Sequence, residues 1–196
     1  MIRLSPLLIG LSLALAVCAA VLVWRTGNGG MGNATDAGAS IGGPFTLTDQ
    51  NGNAQTDRDF DGHWLLVYFG YTYCPDTCPT TLLEIADALR KLGPKSHEVV
   101  PVFITLDPAR DHAAVLRKYL AAFGPEFVGL TGTPAQIAAV AHAYRVYYAK
   151  HPLPGGGYAI DHASTIYLMA PDGRFASLLD DQQGASALAK ELGARL

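Results

Sequence analysis

Residues 63–93 read HWLLVYFGYTYCPDTCPTTLLEIADALRKLG, and this stretch decides the fold. Its first part, His63 to Tyr71, is a nearly continuous apolar run with β-branched and aromatic residues, the pattern of a strand buried on both faces. Its last part carries Leu82, Leu83, Ile85, Ala86 and Leu89 at helical spacing, and Gly93 stops it. Between strand and helix stand Cys74 and Cys78, separated by three residues. A loop at the carboxyl end of a buried strand is where α/β sheets place their sites.

Working outward, Pro44 to Phe60 alternates apolar residues around Asn51-Gly52, a strong short-range hairpin signal. After the cysteine segment, Glu98 to Asp107 reads as a second buried strand and Ala109 to Gly124 as a second helix. Phe127 to Gly132 is a short strand, and the pair Thr133-Pro134 opens a third helix running to Val146. His162 to Leu179 reads as a strand, a turn at Pro171-Asp172-Gly173 and a further strand, and Gly184 to Leu196 as a C-terminal helix. Strands alternating with helices predict an α/β domain with a central sheet covered by helices. The closing hairpin makes that sheet mixed, as in a thioredoxin-like fold.

The chain has 196 residues and a net charge of −3, with no run of Lys and Arg, so nothing points to nucleic acid. Leu7 to Trp24 carries no charge, with Arg3 before it and Arg25 after it. That length suits a single membrane helix and is long for a cleaved signal, which is the alternative along with lipidation at Cys18. The expected organisation is an anchor over 1–25, a Gly- and Asn-rich tether over 26–40 and one domain over 41–196. With the N-terminus inside, the domain lies outside the cytosol, where disulfides persist.

Cys74 and Cys78 can share one face if the stretch turns helically, and free N–H groups at a helix start favour thiolate. Two thiolates select soft ions: Cu(I), zinc or an iron–sulfur cluster. Structural zinc wants four ligands and clusters usually four Cys, whereas this domain offers two. One imidazole more gives a three-coordinate site suited to Cu(I). Of six His, His162 directly precedes an expected buried strand. The alternatives at this point are a structural disulfide and a solvated histidine, with Asp161 a turn residue.

Three stretches carry a resemblance: the segment from Phe45 through Leu82, Ile104 to Asp111 (ITLDPARD), and Asp161 to Phe175 (DHASTIYLMAPDGRF). They resemble the Sco/SenC family from about Ile41 to the C-terminus. The resemblance implies a thioredoxin-like fold and one copper, as Cu(I) or Cu(II), held by Cys74, Cys78 and His162, with Asp161 as an acidic neighbour. It implies a role in assembling the dinuclear copper centre of cytochrome c oxidase subunit II, as copper donor, thiol reductant or both. A copper donor chaperone and a thiol reductant would be further partners. The implied location is the inner membrane with the domain in the periplasm, or the mitochondrial inner membrane facing the intermembrane space. Asp107, Arg110 and Asp111 match a family D-P-x-R-D stretch, for which the sequence offers only helix capping by Asp111.

The rival reading is a thiol–disulfide oxidoreductase or thiol peroxidase using Cys74 and Cys78. Thioredoxin-like oxidoreductases usually carry a proline before the late strand, where this chain has Asp161 to Ser164. The P-x-x-x-T-x-x-C pattern of peroxiredoxins fits neither cysteine.

Overall fold

A computed structural model describes residues 41–196; the expected anchor and tether lie outside the described residues. Among the described residues, no helix is long and apolar enough to cross a membrane. The strands of the described residues are β1 (Thr46–Asp49), β2 (Ala54–Thr56), β3 (Trp64–Gly70), β4 (Val99–Thr105), β5 (Val128–Thr131), β6 (Tyr148–Pro152), β7 (Tyr158–His162), β8 (Thr165–Met169) and β9 (Phe175–Asp180). The helices are α1 (Thr77–Leu92), α2 (Ala113–Leu120), α3 (Pro134–Ala143) and α4 (Ala185–Gly193).

Seven strands make one mixed sheet in the order β2-β1-β5-β4-β3-β8-β9. The inner strands β3, β4 and β5 run parallel, and β1 and β8 flank them antiparallel. The alternation of β3 explains its apolar run, because successive side chains point to opposite faces. Leu65, Val67 and Phe69 face a core shared with Ile137 and Val140 of α3. Leu66 and Tyr68 face a core shared with Leu82, Ile85 and Leu89 of α1, Leu116 of α2 and Leu188 of α4. Burying each of those large side chains stabilises the fold by about 1.5–3 kcal/mol.

Strand direction sets the place of the site. The loop after β3 and the loop after β4 leave the sheet at one end, since Gly70 pairs in parallel with Thr105. β8 runs the other way, with Ile166 opposite Tyr68, so its incoming segment arrives at that same end.

Four expectations are corrected. Leu83 is 56% exposed, because the buried face of α1 follows Cys78, Thr81/Leu82, Ile85 and Ala88/Leu89. The second helix starts at Ala113 rather than Ala109, and Asp111 does not cap it: His112 is the N-cap residue. The third helix ends at Ala143, where Arg145 takes a left-handed φ of 57° and turns the chain. The region between it and β8, to which the sequence pattern assigns no element, forms the separate two-stranded hairpin β6–β7.

The Asp111 carboxylate has another use. It is fully buried. It accepts from the Thr72 N–H (2.9 Å), the Thr72 hydroxyl (2.6 Å) and the Thr105 hydroxyl (2.7 Å). The residue two before Cys74 is thereby tied to the end of β4. Asp111→Ala leaves those donors unpaired and is expected to cost about 3 kcal/mol, by the worth of bonds to a charged acceptor. A denaturation midpoint measures it; an unshifted midpoint would show that the carboxylate does not secure this loop.

Candidate metal centre

Cys74 and Cys78 are free thiols. Cys74 precedes α1 and is half-buried, while Cys78 lies in the first turn of α1 and is fully buried. Lack of a side chain at Gly70 makes room for it: a Cβ there would lie 2.8 Å from the Cys78 sulfur and 2.9 Å from Phe103. The Cys78 backbone N–H, one of the open donors of the first turn, points at the Cys74 sulfur at 3.4 Å.

His162 closes β7. Its Nε2 lies 3.5 Å from the Cys78 sulfur, and its Nδ1 lies 3.0 Å from the Ala163 carbonyl oxygen. A carbonyl only accepts, so Nδ1 carries the proton and Nε2 keeps its lone pair toward the sulfurs. Tyr71 and Tyr68 wall the ring edge-on, with centroids at 6.0 and 6.3 Å. The two sulfurs and a ring nitrogen all lie within 4.8 Å of one another. That donor set, two soft sulfurs and one imidazole, fits a low-coordinate soft ion.

Asp161, the acidic neighbour of His162, turns to His151. Neighbours on a strand point to opposite faces. The Asp161 carboxylate is exposed and lies 3.1 Å from Nδ1 of His151, while Ala163 takes the Nδ1 proton of His162.

The thiols differ electrostatically. The Cys78 thiol donating to Cys74, aided by the N–H groups of Cys78 and Asp76, holds Cys74 well below the ordinary thiol range. Cys78 is pushed up, because it keeps its proton for Cys74 and is buried.

Sequence reasoning missed Lys150 and Tyr158, which reach the buried Asp107 from the hairpin that carries His162. The signal was present: Gly155, Gly156 and Gly157 separate two short runs, a turn between strands.

A thioredoxin-like domain with a C-x-x-x-C loop and a converging histidine defines the class of protein. The SCO1/SenC family model matches residues 33–196, and the chain belongs to that family. It is 40% identical over 151 residues to a mitochondrial SCO1 homolog of Arabidopsis thaliana, covering 76% of this chain and 45% of the relative. It is 42% identical over 157 residues to SenC of Rhodobacter capsulatus, covering 80% and 71%. The chain spans about half the length of several curated relatives it matches, 56% and 53% for the mouse and human SCO1 homologs. Among solved structures, copper-bound ScoI of Bradyrhizobium japonicum is 47% identical with a TM-score of 0.75, covering 80% of this chain and 100% of that one. Copper-bound yeast Sco1 is 38% identical with a TM-score of 0.70, covering 80% and 91%.

Alkylation of the reduced protein tests the asymmetry. A depressed pKa keeps the thiolate as pH falls, so Cys74 is expected to react first and to stay reactive below the free-thiol value of about 8.5. Equal rates at both cysteines, with an ordinary thiol inflection, would contradict it.

Proposed function

We propose that this protein binds one copper ion through Cys74, Cys78 and His162 and serves assembly of the dinuclear copper centre in cytochrome c oxidase subunit II. The observation that carries the reading is the convergence of two sulfurs and a ring nitrogen of His162 within 4.8 Å. Membership of the family and likeness to copper-bound relatives support it.

The chain's own residues divide the work. Cys78, buried at the helix start, is the fixed ligand, and Cys74 is the accessible one. His162 adds a nitrogen donor whose tautomer is set by Ala163. Cu(I) takes the imidazole as a third donor but can be retained by the two sulfurs without it, while Cu(II) prefers nitrogen and oxygen donors and so depends more on the imidazole. The membrane tether, the periplasmic or intermembrane-space setting, and a copper donor and thiol reductant as partners belong to this proposal. A role for the exposed Asp161 beside Cu(II) would require it to leave His151.

The same thiols support a second act. The Cys74 thiolate can attack a disulfide of the oxidase subunit, releasing one target thiolate and forming a mixed disulfide. Cys78 then gives its proton and attacks Cys74, closing the internal disulfide and releasing the second target thiolate. Two electrons pass to the target and both soft ligands are consumed, so copper binding and oxidation exclude each other.

Titration of the reduced protein with Cu(I) against a competing chelator is expected to give one tight site, and the Cys74–Cys78 disulfide form none. Tight binding by the oxidised protein, or two equal sites, would overturn the assignment.

A further inference from the structure

The hairpin that carries His162 is not part of the main sheet: β6 and β7 pair only with each other. An isolated two-stranded hairpin is marginal in water. Within its strands only Ile160 is buried. Something else must hold the imidazole in register with the sulfurs.

A buried carboxylate sits where the hairpin meets the loop after β4. Asp107 is fully buried. It accepts from the Tyr158 hydroxyl (2.7 Å) and from Lys150 Nζ (3.2 Å), one residue from each strand of the hairpin. Its other oxygen pairs with Arg110 Nε. Arg110 in turn donates to the Tyr158 carbonyl (3.1 Å) and stacks over the Tyr158 ring at 3.8 Å. The same guanidinium lies 4.6 Å from the ring of Tyr73, next to Cys74. One cation therefore touches both the cysteine loop and the histidine hairpin. Burial alone would raise the Asp107 carboxyl, but the bonds from Tyr158, Arg110 and Lys150 outweigh it and keep it charged.

We propose that Asp107 and Arg110 are positioning residues that lock the His162 hairpin to the cysteine loop and thereby set the preference of the site between Cu(II) and Cu(I). This rests on the copper reading above. Neither residue touches a ligand side chain, so their action runs through the hairpin. Loosening it withdraws the imidazole and leaves the dithiol, because Cys74 and Cys78 are held by α1 and by Thr72 on Asp111. Cu(II), which needs the imidazole, is then penalised more than Cu(I).

The test is Arg110→Met, which keeps an apolar stem and removes the cation, with Tyr158→Phe, which keeps the ring and removes one hydroxyl. Each is expected to weaken Cu(II) by about tenfold or more, the loss typical of partners that support metal ligands, and to weaken Cu(I) far less. The Cu(II) absorption spectrum is expected to change with the affinity. In the metal-free protein, amide exchange over 148–162 is expected to quicken while that of β3 and α1 stays slow. If Arg110→Met loses protection throughout, Tyr158→Phe alone decides. Equal weakening of both copper states, or no change in either, overturns the lock. A wild-type protein that takes up neither Cu(I) nor Cu(II) overturns the copper reading instead.

Discussion

His162 reaches the Cys78 sulfur across 84 residues of chain, and the fold is organised around keeping that 3.5 Å contact. The sulfurs come from the loop after β3 and the start of α1, the imidazole from a hairpin outside the sheet. Parallel β3 and β4 and antiparallel β8 bring these segments to one sheet end. Two buried carboxylates in one loop then fix them. Asp111 secures the cysteine side through Thr72, and Asp107 secures the histidine side through Tyr158 and Lys150.

The surroundings make the site asymmetric. Cys78 is enclosed by Phe103 and the space left at Gly70, while Cys74 stands half-open beside the exposed Tyr73. A buried protonated thiol next to an accessible thiolate gives an ordered pair, one sulfur to attack and one to resolve. The same pair is a soft clamp for a metal when reduced. Which act dominates depends on the redox poise the protein meets, since a disulfide removes both ligands at once.

Much of this is legible in the sequence where local pattern and tertiary role agree. β3 shows in its apolar run, α1 in its spacing and in Gly93, and the cysteines in their place between them. The β6–β7 hairpin is not legible as an element, since its side chains are mostly half-exposed and it is held by contacts 43 and 51 residues away. Asp107, Arg110 and Asp111 are visible as a motif, but their partners are not, so capping is the only local role on offer. Asp161 is next to His162 in sequence but pairs with His151, since neighbours on a strand point to opposite faces. Helix α2 begins late because Asp107, Arg110 and Asp111 before it are committed to buried carboxylate bonds.

The central claim is that two sulfurs and one imidazole converge on one copper. X-ray absorption of the Cu(I)-loaded protein tests it most directly. The account predicts a first shell of two sulfurs and one nitrogen, with the nitrogen lost in His162→Ala and the sulfurs kept. A shell of sulfur alone in the wild type, or a nitrogen that survives in His162→Ala, would contradict it.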